Sequence, residues 1–429
     1  MRVYLSSVSR PTTDPPAPGR PGRRIALVSG NVVALGTVSL ITDISAEMVA
    51  AVLPLYLVLG LQLSPVAFGV LDGVHTGATA LLRVVGGFVA DRFRRRKLVA
   101  GVGYGLSAVA KLGLLLAGRS VPAIGAVIAV DRLGKGLRTA PRDALITLST
   151  PPESLGRAFG VHRAMDAVGA FLGPLAAFAV LLAVGQSYDA VFVTSFCVAA
   201  LALVVLVLFV RERPSGEPAG GSADDPKVSV REAIGLLRDR PARRLVLTAA
   251  LLGLATIGDG FVYLLLQRRE DLGLRWFPLL AVGTSLAYLL LAAPLGVLAD
   301  RIGRLPVVVG GYLALGATYL LLAGPVHGWP LLVLTLTLYG AFYAATDGVL
   351  IALAGPVLPP RLRTTGIALV QTGQALAYLV SSVLFGVAWQ AWGPDGAIRV
   401  AAVAVAVVLV ATVLLLTPAS RLVTRRVPR

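Results

Sequence analysis

Apolar stretches long enough to cross a bilayer recur along this chain from Ile25 to Leu416, and that recurrence leaves few folds open. A segment in hydrocarbon must satisfy its own backbone hydrogen bonds, so each stretch is expected to be a helix. Composition agrees: of 429 residues, 56% are hydrophobic and 14% charged, against about 25% charged in soluble domains. Six spans are read in the first half, over Ile25–Leu59, Pro65–Ala90, Leu98–Ala117, Val121–Leu148, Arg157–Val184 and Ala190–Val210. Six more follow, over Leu245–Leu266, Phe277–Leu298, Pro306–Gly324, Pro330–Val357, Thr364–Trp389 and Ala397–Leu416. The expected fold is an all-α membrane protein of twelve transmembrane helices.

Arg211 to Arg244 is the longest polar interval, and its Pro214-to-Pro226 segment has the Pro, Gly, Ser and Asp content of a flexible linker. Within it Val230, Ile234 and Leu237, flanked by Arg231, Arg238 and Arg240, suggest a short helix lying on the membrane surface. The expected organisation is a disordered tail (1–24), a six-helix bundle (25–211), the linker (212–243), a second six-helix bundle (244–418) and a basic tail (419–429). The net charge of +17 does not call for nucleic acid, because the bases gather at one set of span ends. Those ends carry Arg20, Arg23, Arg24, Arg92 to Lys97, Arg157, Arg211, Arg213, Arg243, Arg244, Arg301, Arg304, Arg361, Arg363 and the tail arginines. The opposite ends carry little beyond Arg119, Arg268, Arg269 and Arg275. This asymmetry puts both termini and the linker in the cytoplasm and the protein in the cell membrane. Met1 to Arg24 has no apolar core and reads as a tail rather than a cleaved signal. Cys197 is alone, so neither a disulfide nor a cysteine-built metal site is available.

The halves repeat. Gly87-Phe-Val-Ala-Asp91-Arg92 leaves the second span and Gly296-Val-Leu-Ala-Asp300-Arg301 the eighth. Thr42-Asp43 in span one is matched by Gly258-Asp259 in span seven, Arg142-Asp143 in span four by Thr346-Asp347 in span ten, and Pro151-Pro152 by Pro359-Pro360. Internal symmetry of this kind is typical of secondary transporters, with substrate sites near mid-membrane between the repeats. Twelve spans, a long central loop and G-x-x-x-D-R before a basic cluster in both the 2–3 and 8–9 loops resemble the major facilitator superfamily over essentially the whole chain beyond residue 24. Arg94 stands where the family pattern has glycine, whereas the second copy keeps Gly303 and Arg304 before breaking to Leu305-Pro306. The fourth span further resembles a prokaryotic branch carrying D-R-x-G-K-G-x-R-x-x-P-R-D-A-L. The resemblance implies two pseudo-symmetric six-helix bundles, a cavity lined by spans 1, 4, 7 and 10, and a gating motif at Gly87, Asp91, Arg92 and Arg95, repeated at Gly296, Asp300, Arg301, Gly303 and Arg304.

Span four carries the densest intramembrane charge. On one helix, Asp131, Lys135, Arg138 and Arg142 share a face, with Arg132, Thr139 and Asp143 beside it. A charge at mid-bilayer costs about 2.5–3.5 kcal/mol, so these residues should face the bundle interior or a water path. The alternative puts Arg138 to Asp143 in a cytoplasmic loop. Four aspartates, Asp43, Asp143, Asp259 and Asp347, fall on the spans expected to line the cavity, and Glu47 lies one turn past Asp43. Two acids held close in low dielectric cannot both ionise cheaply, so a shared proton is the cheaper state and a proton-coupling role follows. Equally, Asp43 and Glu47 could be salt-bridged to Arg138 or Arg142 and only brace the bundle. His162, Arg163 and Asp166 open span five, with His162 and Asp166 at i, i+4 as either a proton relay or a clasp against span four. Asp72, His75 and Arg83 are further intramembrane groups, and Lys111 is expected to snorkel to the outer interface. Gly69, Gly73 and Gly77, with Gly101 and Gly105, should allow close helix contact. Gly134 and Gly136 lack a preceding strand and any Walker spacing, and no hydrolase or metalloprotease signature occurs, so neither an enzyme nor a cofactor is expected.

The leading functional reading is a monomeric secondary active transporter of a small solute, using protons as coupling ion, most simply in export of an organic compound. An organic-anion or phosphate-ester exchanger is the alternative that the span-four bases favour. A transporter-like sensor is the alternative of another class, weakened by the shortness of the linker and tails.

Overall fold

In the computed structural model of the chain, residues 29–77, 95–151, 154–185, 187–212, 235–347, 358 and 363–424 are described. The expected tail at 1–24, most of the linker, and Arg83, Gly87, Asp91 and Arg92 lie outside them. α1 (Gly30–Leu55) starts at Ser29, whose hydroxyl accepts from the Val32 N–H. Pro54 removes a backbone donor near its end, and the helix loosens there into a π-turn at Tyr56–Gly60. α2 (65–77), α3 (Arg96–Leu116), α4 (Val121–Leu148), α5 (Leu155–Ala183) and α6 (Tyr188–Phe209) complete the first half. α4 has the bounds expected of span four, and Pro141 does not end it.

The seventh span departs from expectation. It is two helices, α7 (Arg240–Ala255) and α8 (Asp259–Glu270), joined by extended residues at Thr256 and Gly258. The backbone freed by the break finds other partners: the Ile257 N–H donates to the Tyr319 hydroxyl at 3.0 Å. α9 (Pro278–Ile302), α10 (Arg304–Ala323) and α11 (Trp329–Thr346) follow. The run Arg363–Thr424 is broken at Gly393 (φ 75°, ψ 172°), which divides it into α12 (363–392) and α13 (394–424). Each expected span thus contains helix among its described residues, the seventh with its break, and no strand occurs among the described residues.

Outward faces are apolar, as lipid contact demands. Val403, Val407, Val410 and Leu414 on α13 are 64%, 62%, 62% and 69% exposed, a stripe that water would not tolerate. Within the first half, Asn31 at the start of α1 bonds the Ser149 hydroxyl and the Arg211 backbone, and Glu212 accepts from the Arg96 and Lys97 N–H groups. The start of α1, the ends of α4 and α6 and the start of α3 thus share one end of the bundle.

The two halves meet at the opposite end. Phe68 of α2 packs edge-on against Phe261 of α8 (4.7 Å), which in turn meets Phe385 of α12 (4.8 Å). Phe178 of α5 lies against Trp276 beside α9 (5.4 Å). Gly69 and Gly73 of α2 abut the α12 backbone at Ser382 and Leu379, and Gly77 the Leu379 side chain. The close contact expected of this glycine series is therefore one between halves. Gly105, expected to do the same, has open space beside it.

Candidate functional site

The arginines of span four pair with carboxylates, Arg132 with Asp131, Arg138 with Asp43 and Arg142 with Asp143, whereas Lys135 makes no ion pair with a described residue. Asp131 stands 3.7 Å from the Lys111 ammonium and accepts from Arg132 Nε at 3.0 Å. Lys111, 3% exposed, also donates to the Ser107 carbonyl at 2.9 Å. It is an interior ion-pair partner, which corrects the expectation that it snorkels: its face of α3 looks into the bundle. Arg138 lies 3.7 Å from Asp43 of α1 and 4.7 Å over the Tyr104 ring. Arg142 pairs with Asp143 at 2.9 Å and donates to the Ser39 hydroxyl. On α5, His162 and Asp166 come within 3.5 Å, while Arg163 is exposed.

α3 can come this close because of two glycines. A Cβ at Gly134 would lie 2.5 Å from the Gly103 carbonyl oxygen, and one at Gly103 would lie 2.6 Å from that of Gly134. The resulting crossing lets the Ser107 hydroxyl reach the Asp131 carbonyl at 3.0 Å. Gly134, flanked by the charged positions of the span, is thus the point where the backbones touch.

Between the halves lies a cavity of about 560 Å³. Its wall includes Glu47 of α1, Asp72, His75 and Thr76 of α2, Asp259 and Tyr263 of α8, Ser285 and Tyr288 of α9, Tyr343 of α11 with Asp347 at that helix's end, and Tyr378 of α12. Asp72 accepts from the Ser382 hydroxyl (2.6 Å) and the Tyr378 hydroxyl (3.4 Å). Asp259 accepts from Tyr339 (2.6 Å) and from Tyr343. Asp347 accepts from Tyr288 at 3.2 Å. No lysine or arginine is among the described residues of this wall. His75 also borders a second, water-sized chamber of about 30 Å³ with Lys111, Asp131 and Arg132.

The expected site residues accordingly separate into two groups. Glu47, Asp259 and Asp347 reach the cavity. Asp43, Arg132, Arg138, Arg142, Asp143, His162, Arg163 and Asp166 do not line it. α4 supplies none of its wall, because its arginines find partners within the first half. The span-one acids also divide: Asp43 turns to Arg138, and Glu47 makes no hydrogen bond or ion pair with a described residue. The tyrosines were missed, although Tyr339, Tyr343 and Asp347 stand at i, i+4 and i+8, a one-face spacing visible in the sequence.

The Major Facilitator Superfamily model matches residues 35–284 and 270–428. The chain belongs to the Major Facilitator Superfamily. A superfamily relative, an uncharacterised MFS-type transporter of Methanocaldococcus jannaschii, is 30% identical over 370 residues, covering 85% of this chain and 89% of its own. The nucleoside transporter NupG has the same fold, with a TM-score of 0.77 at 14% identity over 90% of this chain and 99% of its own. So does a POT family transporter solved with a thioalcohol-conjugated peptide, with a TM-score of 0.72 at 14% identity over 90% and 96%. Superfamily membership makes this a multi-pass membrane protein and a secondary transporter.

The second copy of the superfamily loop motif is described in full. Asp300 and Arg301 are exposed at the end of α9, and no ion pair joins either to another described residue. Gly303 sits at φ 98°, ψ 155°, where a side chain is strained, and turns the chain from α9 into α10. Its place in the motif is a backbone requirement. Gly303→Ala is expected to cost about 1–3 kcal/mol through that strain, read as a lower unfolding midpoint in detergent. An unchanged midpoint would show that the turn relaxes freely. Of the first copy, Arg95 is described, immediately preceding α3.

Proposed function

We propose that the protein exports a small organic solute across the cell membrane in exchange for protons, by alternating access to the cavity between its halves. The observation that supports this is a cavity wall with four carboxylates, Glu47, Asp72, Asp259 and Asp347, at the boundary between repeats whose far ends are packed shut. Carboxylates within a bundle that face water can load and release protons as access alternates. With the termini and linker in the cytoplasm, as the arginine distribution indicates, the sealed end is the outer one and the conformation faces inward. The anion-exchange alternative drew on the bases of span four, and the ion pairs of Arg132, Arg138 and Arg142 with Asp131, Asp43 and Asp143 weigh against it.

Glu47 is assigned the coupling role, since it reaches the cavity without a bonded partner among the described residues. Glu47→Gln in proteoliposomes is expected to abolish accumulation driven by an imposed pH difference while leaving downhill counterflow within a few-fold. Substrates for the assay come from a ligand-stability screen of the purified protein. Undiminished pH-driven accumulation in Glu47→Gln would remove the coupling assignment.

A further inference from the structure

We propose that the solute taken by this cavity is an organic cation, clasped between Asp72 of the first half and Asp259 of the second. The inference rests on the cavity being the transport site and adds the class of its occupant. Four carboxylates face one cavity, and the hydroxyls that hold three of them, from Ser382, Tyr288, Tyr339, Tyr343 and Tyr378, are neutral donors. Such donors fix a carboxylate without cancelling its charge. The fourth, Glu47, lines the cavity and makes no hydrogen bond or ion pair with a described residue. Its electrostatic neighbours are Lys135 and Arg132 on one side and Asp43 and Asp259 on the other.

The two clasping acids come from opposite halves and lie within electrostatic reach of each other. Asp72 packs directly against Gly258, and Asp259 is the first residue of α8. A helix start inside a transporter is a ready anion site, yet here two carboxylates already occupy it. An anionic solute would therefore meet like charge where it should find a partner. A cation would meet carboxylates and the rings of tyrosines such as Tyr343 and Tyr378, whose faces attract positive charge.

The test uses the full-length protein in detergent near neutral pH and two aromatic probes of similar size and opposite charge, benzyltrimethylammonium and phenylacetate. Saturable thermal stabilisation by benzyltrimethylammonium and none by phenylacetate is expected. Asp72→Asn and Asp259→Asn should each weaken the apparent affinity for the cation at least tenfold. Cys197→Ser, distant from the cavity wall, should leave it unchanged. If either aspartate variant fails to fold, the unaltered protein supplies the readout: benzyltrimethylammonium should protect Asp72 and Asp259 from carbodiimide modification. Stabilisation by phenylacetate, by neither probe, or by the cation equally well in both variants would overturn the proposal, as would absence of that protection. If phenylacetate stabilises the protein and follows an imposed pH difference in proteoliposomes, the transport reading stands and only the cation is lost.

Discussion

Arg138→Met is expected to destabilise the folded protein by about 3 kcal/mol, at the low end for breaking a buried ion pair because Asp43 keeps 22% of its side chain exposed. The loss has two sources. Asp43 is left as a carboxylate within the bundle with its base removed, and the guanidinium's contact with the Tyr104 ring disappears. Asp43→Asn in the same chain should restore most of the stability, because the uncompensated charge is then gone while the methionine still fills the space against Tyr104. The measurement is a double-mutant cycle of unfolding midpoints in detergent. If the double variant is no more stable than Arg138→Met alone, the arginine acts through packing and the ion pair is incidental.

Gly134→Val is expected to be at least as damaging. Even a methyl group there would be 2.5 Å from the Gly103 carbonyl oxygen, so α3 and α4 must move apart. Overpacking of this kind costs about 1–3 kcal/mol, and two linked contacts go with it: the Ser107 hydroxyl loses the Asp131 carbonyl and Lys111 retreats from the Asp131 carboxylate. Gly134→Ala should show the same loss at smaller amplitude. The yield of monodisperse protein and its unfolding midpoint are the readouts. A Gly134→Val protein with the parent midpoint would mean that the helices slide past one another at negligible cost.

How far the sequence could be read depended on the range of the forces involved. The spans were legible because lipid imposes a local rule, apolar length, on each of them, and α4 was legible through its charges because the cost of burying them in lipid leaves one direction. Pairings were legible only as alternatives, Arg138 or Arg142 for the span-one acids, of which the Asp43–Arg138 pair is the one found. Nothing near Asp43 says that Arg138 will reach it before any other base of span four, and nothing near Lys111 says that Asp131 will draw it inward; both follow from how α1, α3 and α4 pack. The break before Asp259 was hidden for another reason. Its residues, Thr256-Ile257-Gly258, contain no proline, and the departure from helix depends on the distant Tyr319 hydroxyl that satisfies Ile257. The cavity's tyrosines followed a helical spacing that apolar flanking residues made look like ordinary core.

The bonds from Ser382 and Tyr378 to Asp72 cross from one half of the molecule to the other. They behave as a latch whose strength depends on what else the carboxylate has to hold. Hydrogen bonds to a charged group contribute about 1.5–3 kcal/mol each, and swinging the halves apart at this end strips Asp72 of both. Water alone must then take over the exposed charge, unless a proton or a bound cation has already satisfied it. An empty, ionised transporter would accordingly be held shut by the same side chain that lets a loaded one open, which ties the movement to its cargo without any sensor remote from the binding site.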